Sequence, residues 1–118
     1  MKKMCVLIFT VIVMASCEAI FVENISDTTV NTLAPSDGTT VAAGRITFSW
    51  EAVEDAENHQ LQIATPTFTN ASQIIIDTVL IGTTSVNKEI PIGNYQWRVK
   101  AANSEYETTY TTNAFSVN

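Results

Sequence analysis

From Leu33 to the C-terminus the chain alternates apolar and polar residues with a period of two, and turn residues separate the runs. Ile46, Phe48 and Trp50 alternate with Arg45, Thr47, Ser49 and Glu51. His59, Leu61 and Ile63 alternate with Gln60, Gln62 and Ala64. Tyr95, Trp97, Val99 and Ala101 alternate with Gln96, Arg98, Lys100 and Ala102, and Phe115 and Val117 alternate with Ala114 and Ser116. The run from Ile74 to Leu80 is rich in β-branched residues, and the threonines between Thr108 and Thr112 favour an extended chain. Successive strand side chains point to opposite faces, so the apolar set of each run faces a core, Trp50 and Trp97 with it.

The breaks carry turn chemistry, in Pro35-Ser36-Asp37-Gly38 and again in Pro91-Ile92-Gly93-Asn94. No segment sustains an apolar face at helical spacing; Glu51 to Asn58 offers at most a helical turn. Roughly seven short strands in so short a chain predict an all-β, immunoglobulin-like sandwich of two sheets, with a small barrel as the second choice.

The first residues follow another pattern. Lys2 and Lys3 precede an apolar run, Val6 to Ala15, interrupted only by Thr10. It has the length of a signal-peptide core and falls short of the roughly 20 residues a membrane span needs. It ends in Met14-Ala15-Ser16-Cys17, which resembles the bacterial lipobox: an apolar residue, two small residues that fit a peptidase cleft, and a cysteine whose thiolate takes the diacylglycerol. Met14 departs from the usual Leu. The resemblance implies that residues 1–16 are a lipoprotein signal peptide and that Cys17 becomes the lipid-modified N-terminus. The other readings are an ordinary signal peptide or an anchor helix with Cys17 incidental. Two or more acyl chains hold a protein to a membrane stably, where one does so only marginally. The expected location is the outer membrane, on its periplasmic or its outward side. Residues 17–30, with Glu18, Glu23 and Asp27, then form a lipidated tether, which Ile20-Phe21-Val22 suits poorly. That tripeptide either meets lipid headgroups or packs on the domain.

The remainder, residues 31–118, resembles a bacterial fibronectin type III-like module. Leu33-Ala34-Pro35-Ser36-Asp37-Gly38 followed by Ile46-Thr47-Phe48-Ser49-Trp50 is similar to its opening, and Ala56 to Ala64 to its third strand. Phe68 and Asp77 fall where such modules carry these residues. The strand Gly93-Asn94-Tyr95-Gln96-Trp97-Arg98-Val99-Lys100-Ala101-Ala102-Asn103 and the closing Phe115-Ser116-Val117 are similar as well. The resemblance implies a fold and is nearly silent about activity. His59 stands where these modules usually have tyrosine. The connection into Tyr95 is shorter than in the animal-type module, which argues against a standard tyrosine corner.

Charge narrows the function. The formal net charge is −6, and cleavage before Cys17 removes two lysines and no acid, giving −8. Such a surface repels phosphate backbones, so nucleic acid is excluded as a partner. Cys5 leaves with the leader and Cys17 then has no pairing partner, which leaves neither a disulfide nor a Cys-x-x-Cys zinc site. The single histidine, His59, has no visible nucleophile or carboxylate pair and reads as a packed, hydrogen-bonded ring. Glu51, Glu54, Asp55 and Glu57 match no calcium-loop spacing and lack its glycine, and they read as a solvated acidic face. No catalytic residue, metal or cofactor is expected. Phe68 is expected to pack. Tyr106 and Tyr110, set among acids and threonines, are the candidate exposed aromatics for stacking on a sugar ring. Asn24-Ile25-Ser26 and Asn70-Ala71-Ser72 match a glycosylation sequon that has no meaning in a bacterial protein. The expected function is a non-enzymatic, membrane-anchored binding or scaffolding module for a glycan or an envelope protein. The alternative is an accessory subunit of a carbohydrate-active enzyme, or a minimal one.

Overall fold

The computed structural model describes residues 21–118, so the leader and Cys17 lie outside the described residues. Eight strands form: β1 (Thr32–Ala34), β2 (Thr39–Val41), β3 (Gly44–Trp50), β4 (Asn58–Thr65), β5 (Gln73–Leu80), β6 (Ser85–Ile90), β7 (Gly93–Ala102) and β8 (Thr111–Val117). They make a three-stranded sheet, β1-β3-β6, and a five-stranded sheet, β2-β8-β7-β4-β5. This is the two-sheet sandwich the alternation predicts, with β1, β2 and β6 in addition to the runs read from the sequence. Paired strands are antiparallel except β2, which runs parallel to β8.

The core is the apolar half of each alternation. Ile46, Phe48 and Trp50 on β3 are buried against Leu61 and Ile63 on β4, Trp97, Val99 and Ala101 on β7, and Phe115 and Val117 on β8. Phe48 meets Trp97 and Phe115 edge to face, at 5.4 and 5.6 Å between ring centroids. Edge-to-face pairs of this kind add about 0.5–1.5 kcal/mol beyond the area they bury. Trp97 Nε1 donates to Pro35 O at 3.1 Å and so ties the opening loop to the central strand. Next to it, Asp37 Oδ1 accepts from Ala114 N at 2.7 Å, and Gly38 supplies the φ of +80° that the turn before β2 requires.

Three details differ from the sequence expectations. A tyrosine corner does form: Tyr95 Oη donates to Pro91 O, four residues upstream, at 2.7 Å. The short connection is spanned because Gly93 takes φ +156°, and a Cβ there would lie 3.3 Å from the Tyr95 ring. The folded unit also reaches back into the expected tether. Ile25 and Val30 are buried in the core, and Glu23 O accepts from Asn103 Nδ2 at 2.9 Å. In the Ile20-Phe21-Val22 tripeptide, Phe21 is exposed, Val22 is half-buried and Ile20 lies outside the described residues. Finally, Glu51 to Asn58 forms a tight turn, closed by Ala56 N donating to Val53 O at 3.1 Å, with Asp55 at φ +70°.

Candidate binding face

The outward side chains of the five-stranded sheet fall in register. One row crosses the sheet as Thr112 on β8, Arg98 on β7, Gln62 on β4 and Asp77 on β5. The next contains Lys100 on β7, Gln60 on β4 and Val79 on β5. Outward and inward residues alternate, so Trp97 and Val99 enter the core while Arg98 and Lys100 must stay outside. Arg45 and Lys88, the other cations among the described residues, are on the opposite sheet.

Arg98 is the centre of this face. Its guanidinium lies over the Phe68 ring at 4.0 Å and over the Tyr110 ring at 4.2 Å. Its Nε donates to Gln62 Oε1 at 2.7 Å. Phe68 comes from the loop after β4 and is held by its own backbone N, which donates to Gln96 Oε1 at 2.8 Å. Tyr110 comes from the segment just before β8, and Lys100 Nζ lies 5.0 Å from its ring. Lys100 in turn pairs with Glu107 at 2.8 Å. Asp77 accepts from Gln60 Nε2 at 2.8 Å. The hydrogen bonds from Gln60 and then Gln62, with a smaller contribution from the Arg98 charge, outweigh its desolvation and hold the Asp77 carboxyl below its ordinary pKa.

The structure separates the two tyrosines singled out in the sequence. Tyr106 is half-buried and packs against the core, so the expectation that it is exposed fails. Asn103 Oδ1 fixes its loop by accepting from Tyr106 N at 2.9 Å. Tyr110 is also half-buried, so the expectation of exposure fails for it too; it lies on the outer face against the two cations. Tyr106 lines a recess with Asn103 and Glu105, and Tyr110 lines a different one with Ser26 and Thr109. Phe68 packs, though on Arg98 and not in the core. The residue that sequence reasoning passed over is Arg98. Its signal was the outward set Gln96, Arg98 and Lys100, which gains meaning only once β4, β7 and the Phe68 loop are brought together.

His59 is buried on β4, 6.1 Å from the Trp50 ring, and its Nε2 accepts from Val53 N at 3.3 Å. Burial holds its pKa below the ordinary histidine value. Glu51, Glu54, Asp55 and Glu57 are exposed on the β3–β4 connection, apart from the Arg98 face. Glu51 Oε1 accepts from Asn31 Nδ2 at 2.9 Å. Among the described residues no group of three or more His, Cys, Asp or Glu side chains is placed to hold a metal ion. A recess of about 370 Å³ lies between Gly38, Pro66, Gln96 and Ala114 and contains no ionisable side chain other than Tyr95. No described helix is long and apolar enough to cross a membrane.

No protein-family profile matches the chain, and no curated protein matches it. Its similarity to solved structures is one of fold. A fibronectin type III domain of the human KIAA0970 protein superposes with a TM-score of 0.54 at 13% identity, over 76% of this chain and 73% of that one. An engineered protein superposes with a TM-score of 0.55 at 15% identity, over 76% of this chain; this chain spans only 20% of that protein's length. The fold is an all-β, immunoglobulin-class sandwich of the fibronectin type III kind.

Proposed function

We propose that this protein is a membrane-anchored, non-enzymatic binding module that engages its partner through the outer face of the five-stranded sheet. The observation that carries the reading is the built array on that face, with Arg98 between Phe68 and Tyr110 and tied to Gln62. Ordering a long cationic side chain costs rotamer freedom, and here the fold has already met that cost before any partner arrives. Catalysis asks for a nucleophile with its base, or two carboxylates across a cleft. On this face, Asp77 and Arg98 are hydrogen-bonded to the neutral Gln60 and Gln62, and Lys100 is ion-paired with Glu107 instead.

The lipobox-like leader supports display from a membrane, in an outer membrane by the kind of signal it resembles, with Cys17 acylated and residues 1–16 removed. Because ordered structure reaches back to Glu23, the leash between Cys17 and the domain is short and the sandwich stands close to the bilayer. Of the two partner classes expected from the sequence, an envelope protein suits this face better than a neutral glycan. A sugar platform needs an open ring face, and both rings already carry cations.

Two experiments test the reading. Mass spectrometry of the membrane-extracted protein should find Cys17 acylated and residues 1–16 absent; an unmodified Cys17 refutes the anchor. A photo-cross-linking residue at Thr112, on the Arg98 row, should capture a partner in cells, while the same residue at exposed Arg45 on the opposite sheet should not. Equal capture at both positions, or capture at Arg45 alone, refutes the face.

A further inference from the structure

We infer that Arg98 anchors a carboxylate of an extended, acidic peptide segment on the partner protein; the inference rests on the outer face being the binding surface. The guanidinium is already fixed in plane and direction. Phe68 and Tyr110 lie against it at 4.0 and 4.2 Å, and Gln62 Oε1 accepts from Nε at 2.7 Å. Those contacts set two rings against the guanidinium and use its Nε–H. The two Nη groups donate to no acceptor among the described residues. A guanidinium presenting two Nη groups in one plane matches the two oxygens of a carboxylate, and pre-ordering of the fork reduces the entropy lost on binding.

The neighbouring carboxylates do not take that place. Asp77 receives Gln60 and stands outside ion-pair contact with Arg98. Glu107 is paired with Lys100 at 2.8 Å. The row through Arg98 therefore holds a cation with unused donors between Thr112 and Gln62, on a chain that is otherwise acidic.

Two further features select a peptide over an acidic sugar. β5 is the outer strand of its sheet and, among the described residues, pairs only with β4. It is also the least guarded edge of the sandwich. β1 and β2 have three residues each, and β6 carries Lys88 and Glu89, whereas β5 has eight residues with Asp77 as its single charge. Exposed apolar side chains line its vicinity: Ile74 is 49% exposed, Val79 56% and Ile81 79%. Arg98 lies two strands from β5, about 10 Å at the usual strand spacing. An extended peptide covers that distance in roughly three residues. A segment with an acidic residue about three positions from an apolar one can thus satisfy Arg98 and Val79 together. A segment that crosses the strands to reach Arg98 meets Val79 with a side chain, and an oligosaccharide offers the carboxylate without that apolar side chain.

The chain has two arginines, Arg45 and Arg98, so side-chain NMR of the ¹⁵N-arginine-labelled full chain in detergent contains its own control. Titration with hexaglutamate should shift the Arg98 Nε–H and Nη signals to saturation and leave those of Arg45 in place. Arg98→Lys keeps the charge and loses the fork; its affinity, read from the Gln62 amide, should fall by about tenfold while the remaining amide dispersion is unchanged. A hexagalacturonate of equal charge should bind more weakly than a peptide in which glutamate and valine stand three residues apart. Equal shifts at Arg45, undiminished binding by Arg98→Lys, or tighter binding of the hexagalacturonate each overturn the proposal. Cross-linking at Thr112 that survives Arg98→Lys would keep the binding face and overturn the carboxylate anchor alone.

Discussion

Trp97 and Arg98 are neighbours in the chain and lie on opposite sides of the same sheet. Trp97 is fully buried, with its indole N–H held by Pro35 O and its ring against Phe48. Arg98 is half-buried and has aromatic rings around it too, yet its Nη groups donate to no acceptor among the described residues. On the inner side, aromatics meet aromatics and exclude water, and their contribution is stability. On the outer side, aromatics meet a cation, which orients a polar group at little benefit to the fold. Cation–π contacts at exposed sites are worth about 0.5–1 kcal/mol each. Burial of a large aromatic side chain is worth several times that. The same strand therefore carries the fold on one side and, on the other, the array we propose for recognition.

The contrast is broken first at Trp97. Replacing it with Ala should destabilise the domain by about 3–5 kcal/mol, measured by urea unfolding. That is a large part of the stability of a domain this size. A midpoint that barely moves would mean that the inner side does not carry the fold. A fragment used for this measurement should begin no later than Val22, because Ile25 and Val30 belong to the core.

A smaller effect belongs to the corner that feeds β7. Gly93→Ala places a Cβ 3.3 Å from the Tyr95 ring at a φ of +156°, and should cost about 1–2 kcal/mol. Tyr95→Phe loses only the 2.7 Å bond to Pro91 O, and should cost about 1 kcal/mol. If Gly93→Ala is neutral in the same melts, the corner is not what sets the entry of β7.

His59 sharpens the inner side by pH. Its pKa is lowered by burial, so the unfolded chain binds the proton more readily than the folded one. Its contribution is intact above the unfolded value of about 6.5 and is lost as pH falls through that value toward the folded one. Protonation at Nε2 also removes the acceptor for Val53 N. Unfolding free energy should therefore fall between pH 7.5 and 5.5, and His59→Tyr should flatten that slope. A slope unchanged in the variant would assign it to other groups.

How much of this was readable beforehand follows from the same two sides. The inward residues of β3, β4, β7 and β8 were legible because burial alternates along a single strand, and one strand suffices to see it. β6 was not, since Ile90 is its one buried residue and Lys88 and Glu89 break the pattern. β2 has three residues and exists through its parallel pairing with β8. Ile25 and Val30 are single apolar residues in a polar stretch, and nothing local marks them as core. The Arg98 array needed the register of β4 on β7 and the return of the Phe68 loop, which are properties of the folded chain. Tyr110 was legible as an aromatic of interest, but its engagement with Arg98 and Lys100 was not. Tyr106 was misplaced because the Asn103 turn directs it back onto the core.

The division of labour across β7 is tested most directly by Arg98→Ala, assayed for stability and for partner capture in parallel. Urea unfolding should move by about 1–2 kcal/mol, the worth of its two cation–π contacts. Capture through a photo-cross-linker at Thr112 should be lost in the same variant. Unfolding that drops by as much as in Trp97→Ala, or capture that continues at the original level, would contradict the account.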